Sequence, residues 1–432
     1  MNLSIKEPTL LNEKSIFLNR NFMLLFIGKI ISILGDQIYS FALSWYILGI
    51  TKSSMQMSIF LIINGVVSAI VSPFGGLIAD RINRKKILVF MDIVRGIVII
   101  ICSGLLIFNL LQIWMLYVGS IILAFCGAVF SPAASALIPN IIDEEQLPQA
   151  SSMDQFVGSL CTISGMVIGG VLFSLVGISG VFILNALSYL ISSIMEASIR
   201  LPYKPNKNNE ISFTIKEFNK IINRLVEGFI YIKQNGILYY LVAMYAMFYL
   251  ITIPLIMIYF PYIFNVMLKA LPFQAALCQG AGSIGIIIAS IFVPFLLKRI
   301  SLKKSIFWGL SICSCIIFIE AILLHFQKMG CFSNWSMTIL FTIAGIIVGI
   351  SLTFFNVPIT VIFQKNTSDE YRGRFWGVQS AIISLTTSIG FLIGGYLAQK
   401  IWMGYLFIGT SIFVFVIAVW IVNLKVIKEQ NQ

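Results

Sequence analysis

The sequence predicts an all-α protein that crosses a membrane twelve times, and three observations carry that reading. Of 432 residues, 59% are apolar and only 11% are charged, a balance that excludes a disordered chain, a collagen or an ordinary soluble domain. A bilayer-spanning helix needs about 20 mostly apolar residues, and twelve such runs absorb nearly the whole apolar inventory. The runs are also far longer than the alternating segments of about 10 residues that build a transmembrane β-barrel, which excludes that architecture.

Taken in order, the runs span 22–48, 55–79, 87–108, 113–137, 153–176 and 178–199, then 238–263, 273–297, 305–325, 336–362, 375–399 and 402–424. Lys6, Glu7, Glu13, Lys14 and Arg20 precede the first run with no short apolar core followed by small residues, so that run is expected to stay in the mature protein. The long polar interval at 200–237 carries Phe218, Ile221, Ile222, Leu225 and Phe229 at helical spacing, which predicts an amphipathic helix along the inner surface. The expected organisation is an N-terminal six-helix bundle over 1–199, a linker over 200–237 and a C-terminal bundle over 238–432. Twelve crossings place both termini on one side. That side then holds 23 Lys and Arg, against four in the opposite loops (Lys52, Lys269, Lys328 and Lys400), which predicts cytoplasmic termini.

The two halves repeat one another. Shifted by 225, Ser159, Leu160, Thr162, Gly165, Ile168, Gly169, Gly170 and Leu172 match Ser384, Leu385, Thr387, Gly390, Ile393, Gly394, Gly395 and Leu397. Shifted by 218, Arg81, Ile82, Lys85 and Lys86 match Arg299, Ile300, Lys303 and Lys304, and the unequal offsets predict an insertion in the outer loop near Lys328. An even number of crossings in each half gives both halves the same orientation, related by a pseudo-two-fold axis along the membrane normal. The six repeated glycines predict close helix packing where the halves meet.

Between the second and third runs lies GGLIADRINRKK, Gly75 to Lys86. Gly75 and Gly76 permit close packing, and Asp80 sits near a helix C-terminus, where the dipole disfavours an anion. Asp80 therefore needs a partner, for which Arg372 and Arg374 at the start of the eleventh run are candidates. This segment resembles the signature loop of the major facilitator superfamily, with Asn83 in place of the usual glycine because asparagine also tolerates a left-handed backbone. The strings GDQIYSFALSWYIL, MDIVRG and SPAASALIPNIIDEEQLPQASSMDQ resemble the macrolide-efflux-type branch of that superfamily. The resemblance implies two six-helix bundles around a cavity lined by the first helix, in a drug exporter of bacterial inner membranes that is usually proton-coupled. It also implies a cytoplasmic gate of Gly76, Asp80, Arg81, Arg84, Lys85, Arg372 and Arg374, shut while the cavity faces outward. Lys298 replaces Asp80 in the second copy, so the lock is expected on one half only.

Asp36 lies about 14 residues into the first run, near the bilayer midplane, where an acid costs about 2.5–3.5 kcal/mol and marks function by default. Lys29, Ser32, Asp36, Ser40 and Ser44 follow at intervals of three or four and form a polar ridge. Two roles stay open: Asp36 exchanges protons or contacts a cationic substrate, or Lys29 holds it in an ion pair. Asn356, near Pro358 in the tenth run, is a further candidate for the cavity. Asp92 and Arg95 stand one turn apart and are expected to pair and brace the gate loop. Glu320 and His325 are expected near the outer surface, and some of Tyr39, Trp45, Tyr46, Tyr245, Tyr249 and Tyr259 are expected to face the cavity.

Absences narrow the function. There is no G-x-x-x-x-G-K-[ST] loop and no soluble segment that would hold a nucleotide domain, so no ATP site is expected in this chain. One histidine and seven scattered cysteines give no metal-ligand cluster, and neither cofactor nor catalytic constellation is expected. The net charge of +12 follows from the sidedness of Lys and Arg and requires no nucleic acid. The expected partners are a small hydrophobic or cationic substrate, protons and the lipid bilayer. The expected function is proton-coupled efflux of compounds such as macrolides by alternating access. The alternatives are export of a dedicated siderophore, peptide or lipid, and a membrane receptor or scaffold without proton-linked flux.

Overall fold

A straight helix of 51 residues is about 76 Å long, more than twice the thickness of a bilayer core. The helix Leu147–Ala197 is that long, but at Gly177 its backbone turns to φ 65° and ψ −173°, a conformation open to glycine alone. Contacts with α1 (Arg20–Thr51) show that the chain reverses there. Before the bend, Cys161 approaches Ile30, Gly165 faces Gln37 and Gly169 meets Ile38, so this arm runs parallel to α1. Beyond it, Phe182 packs on Tyr39, Tyr189 reaches Asp36 and Ser192 meets Gly28, so the second arm runs antiparallel. The arms are α5 (147–176) and α6 (178–197), and the eleven long apolar helices among the described residues thereby provide twelve candidate crossings.

This is a computed structural model, and it describes residues 16–200, 215–297, 299–368 and 370–423; the side chains of Phe17, Asp80, Glu144, Ile163, residues 215–222, Arg224, Val422 and Asn423 lie outside the description. The remaining N-terminal crossings are α2 (Ser54–Arg81), α3 (Arg84–Ile107) and α4 (Ile113–Leu137). A linker helix α7 (Ile215–Gln234) precedes α8 (Gly236–Met267), α9 (Pro272–Leu296), α10 (Leu302–Lys328), α11 (Asn334–Asn366), α12 (Arg372–Lys400) and α13 (Met403–Asn423). No strand occurs among the described residues. Side chains of Asn19, Ser53, Asn83, Asn235, Ser301 and Ser333 accept N–H bonds from the first turns they precede. Asn83 thus serves as a helix cap at φ −55°, and the left-handed turn expected of it does not form. In α8, Pro254 and Pro261 each stand close before a π turn, Leu255–Tyr259 and Ile263–Met267, wide turns of the kind that gather at functional sites.

The bundles meet along α2 with α12 and along α5 with α9. Neighbouring helical residues point about 100° apart, and the repeated glycines use that angle. Gly169 presses on α1 at Ile38, while Gly170 presses across the seam on Pro272 and Ala276 of α9. Their counterparts repeat the pattern, with Gly394 on Pro254 of α8 and Gly395 on Ser54 and Ser58 of α2. Gly165 and Gly390 also pack within their own bundles, so only Gly170 and Gly395 of the six lie between halves. The predicted outer-loop insertion is absent: the connections 108–112 and 329–333 are equally long, and the extra residues lengthen α10 and α11.

Bonds across the seam join Ser54 Oγ to the Gly395 carbonyl at 2.8 Å, Ser384 Oγ to the Gly65 carbonyl at 3.2 Å and Asn265 Nδ2 to the Trp45 carbonyl at 3.2 Å. Gln399 also donates to Ser53. These contacts lie from mid-span outward to the end opposite Arg81–Lys86, and they hold the bundles together there.

The cores differ between halves. The C-terminal bundle has one continuous cluster, including Phe248, Phe264, Phe341, Phe355, Phe375 and Phe407, which also takes in Phe41 and Trp45 of α1 across the seam. The N-terminal bundle has two main ones, around Tyr39, Phe182 and Tyr189 and around Leu25, Leu88 and Phe130. The linker helix corrects another expectation. Phe229, expected on its packed face, is exposed with Val226 and Ile230, whereas Gly228 and Ile232 are buried and Gly228 meets α12 at Arg374 and Val378. Phe218, Ile221 and Ile222 lie outside the described side chains.

Candidate functional site

The gap between the two N-terminal core clusters is filled by charge. Asp36 of α1 accepts a hydrogen bond from the Tyr189 hydroxyl of α6 and lies 3.8 Å from the Arg95 guanidinium of α3. Arg95 stands 3.4 Å from Asp92, one turn back on its own helix. Its guanidinium carbon lies 4.6 Å from the Phe130 ring centroid and 5.0 Å from that of Tyr189, so two π faces add to its binding. Glu196 of α6 is buried, 3.5 Å from the Ser192 hydroxyl and within electrostatic reach of Asp92 and Arg95. Two carboxyl groups therefore face one guanidinium directly, and a third lies within electrostatic reach. A single cation cannot offset three anions in a low-dielectric interior, so the layer has room for protons or for a cationic ligand. Arg95 is enclosed, with 4% of its side chain exposed, while 39% of the Asp36 side chain is open. Asp36 is the most exposed carboxyl group of the layer.

The polar ridge of α1 divides among three neighbours. Lys29 pairs with Asp154 of α5 at 2.5 Å and not with Asp36, because the parallel α5 places Asp154 at its level. Ser32 is buried and donates to the Lys29 carbonyl at 3.1 Å, so it turns back on its own helix instead of facing the cavity. Ser40, Gln37 and Ser44 line a small space between the bundles, opposite Met257 and Gln279. Asn356 lies in the C-terminal bundle, accepting from Tyr245 at 3.1 Å and from Tyr249 at 3.5 Å.

The candidate gate residues make bonds of several kinds. Arg84 donates to the carbonyls of Ala79 at 3.2 Å and Ala136 at 2.6 Å and to Asn140, and Lys85 donates to the Ile199 carbonyl at 2.8 Å. These bonds brace the N-terminal bundle internally. Gly75, not Gly76, is the glycine pressed against α4; open space surrounds Gly76. Arg374 pairs with Glu227 of the linker helix at 3.3 Å and stacks on Tyr371. Arg81 and Arg372 are also engaged, and the Asp80 side chain lies outside the description.

Glu320, expected near the outer surface, is 1% exposed and lines a cavity of about 250 Å³ in the C-terminal bundle. His325 is exposed in the last turn of α10, where it meets the Trp402 ring edge to face at 5.8 Å. Tyr189 and Glu196 were missed by sequence reasoning, although Ser188, Ser192 and Glu196 form a polar ridge on α6 like that on α1.

Two bundles bonded towards one end, with a partly exposed acid inside the N-terminal one, fit an alternating carrier, and comparison decides the family: Major Facilitator Superfamily matches residues 25–330. The chain belongs to the major facilitator superfamily. Macrolide efflux protein A of Streptococcus pyogenes is 23% identical over 403 residues, covering 92% of this chain and 94% of the relative. The putative bacilysin exporter BacE of Bacillus subtilis is 24% identical over 391 residues, covering 90% and 91%. Among solved structures, an inward-facing bacterial homologue of the iron transporter ferroportin matches with a TM-score of 0.69 at 16% identity, covering 94% of this chain and 99% of the other. The nucleoside transporter NupG matches at 0.63 and 14%, covering 93% and 98%. This major facilitator protein is therefore a multi-pass membrane transporter, and its relatives include the macrolide-efflux type to which its motifs pointed.

Proposed function

We propose that the protein exports hydrophobic or cationic compounds, macrolides among them, across the bacterial plasma membrane in exchange for protons taken up at Asp36. The observation that supports this most is the layer of Asp36, Asp92 and Glu196 near Arg95, in which Asp36 is the most exposed carboxyl group. In this reading a proton on Asp36 weakens its tie to Arg95 and Tyr189, freeing α1 to shift against α3 and α6. Loss of the proton restores the tie. Residues 1–199 and 238–432 then move as two units, with both termini in the cytoplasm as the basic residues require. Asp80 holds Arg372 and Arg374 when the inner side shuts, and Glu227 takes Arg374 when it opens. One proton crossing about 150 mV supplies about 3.5 kcal/mol, enough for a concentration ratio of about 300.

Proteoliposomes with an imposed pH gradient test this. Wild type should accumulate erythromycin or ethidium, and Asp36→Asn should lose at least nine-tenths of the gradient-driven uptake. Equal uptake by both removes Asp36 from coupling. Similarity to the putative bacilysin exporter supports a second reading, a dedicated exporter of one siderophore, peptide or lipid. Expression in a sensitive host against an antibiotic panel separates the two, since a dedicated exporter shifts no inhibitory concentration.

A further inference from the structure

The cavity in the C-terminal bundle is separate from the Asp36 layer. Its walls come from α8, α9, α10 and α11, and Thr162 and Met166 of α5 close it on the side of the other bundle. Cys313, Ile317 and Glu320 recur at intervals of four and three, so a single face of α10 looks in. On α8, the π turn at Leu255–Tyr259 widens the helix where Ile256 and Met257 reach the cavity, and Gln279 satisfies the Ile256 carbonyl at 3.3 Å. The lining is mostly apolar, with Thr162, Thr252, Gln279 and Ser283 as neutral polar members and Glu320 as its one carboxyl group among the described residues; both Glu320 oxygens are buried with no hydrogen-bond partner. Among the described residues the lining includes no Lys, Arg or His. A buried carboxylate without a partner is costly and must take up a proton or meet a positive charge, and Phe248, Tyr249 and Phe260 offer rings to such a charge.

We propose that this cavity binds the charged centre of a lipophilic cation, with Glu320 as its counter-ion. The proposal rests on the export reading and deepens it, because it names the chemical class of one set of compounds and gives them a second place to bind. A phospholipid headgroup brings a phosphate for which the lining has no basic side chain, so a cation with no attached anion is the ligand that fits.

Equilibrium dialysis of tetraphenylphosphonium against the purified protein in detergent tests it without any gradient. Wild type and Glu145→Gln, a change at an exposed carboxylate, should bind alike. Glu320→Gln should bind at least tenfold more weakly, about 1.4 kcal/mol, and neutral triphenylphosphine oxide should not distinguish the variants. Equal affinity in Glu320→Gln overturns the proposal, as does binding lost in Asp36→Asn but kept in Glu320→Gln. If Glu320→Gln does not fold, wild type can be treated with dicyclohexylcarbodiimide, an apolar reagent for carboxyl groups, and modification of Glu320 read by mass spectrometry. Tetraphenylphosphonium should slow that modification at least fivefold, and an unchanged rate overturns the proposal. Absence of proton-linked flux in vesicles would defeat the export reading alone, since neither measurement involves a gradient.

Discussion

Tyr189 and Arg95 reach Asp36 from two different helices, and each contact has its own expected cost. Tyr189→Phe removes one hydrogen bond to a carboxyl, worth about 1–3 kcal/mol; the protein should still fold but lose part of its gradient-driven uptake. Arg95→Met leaves Asp36, Asp92 and Glu196 without their cation and should destabilise by about 3–5 kcal/mol, seen as a lower melting temperature in detergent. Adding Asp92→Asn to Arg95→Met should recover part of that loss, and further destabilisation would contradict the charge balance argued for the layer. Asp36 was legible in the sequence as a lone acid in an apolar run, and the Asp92–Arg95 pair as neighbours one turn apart. Tyr189 and Glu196 were not, because their place in the layer arises from packing α6 against α1 and α3. Glu320 was misread for a related reason: it lies about 12 Å from the helix end by rise alone, and only the packing of Cys313 and Ile317 shows that its face is turned inward.

Helix contacts give sharper contrasts between neighbouring positions. A side chain at Gly75 would meet the backbone of Ala128 and Val129, whereas one at Gly76 would meet nothing within 4 Å. Gly75→Ala should therefore destabilise by about 1–3 kcal/mol through overpacking. Gly76→Ala should be neutral or gain a few tenths through helix propensity. Thermal melts of the two variants check this directly. At the seam, Gly395→Val would drive its side chain into Ser58 and the Ser54 carbonyl, and turnover should fall at least tenfold while the isolated bundles stay folded. The close-packing role of these glycines was legible from their repeat. Which neighbour each one meets depends on a 100° step along the helix and on the partner beyond it, and neither is written in the spacing. The linker helix shows the same limit, since its periodicity predicted a helix but not that Glu227, Tyr231 and Asn235 would tie it to residues 366–374.

At the scale of the molecule, twelve crossings and two repeated halves followed from run length and self-similarity, and the structure adds the asymmetry between them. The reversal at Gly177 falls where the runs 153–176 and 178–199 divide; the structure adds how it is made, with no polar break and a backbone conformation that relies on a residue free of a Cβ. The difference in cores is a further addition. Aromatic rings unite the C-terminal bundle from α8 to α13, whereas in the N-terminal bundle Asp36, Asp92, Arg95 and Glu196 lie between two apolar layers. Rings interlocked over many turns resist shear together, while a plane of ionisable groups is a built-in cleavage plane. Drawn out of the bilayer by a cantilever tip, the aromatic half should hold as one block and let go in a single large event. The other half should part at its carboxylates and yield in two smaller steps.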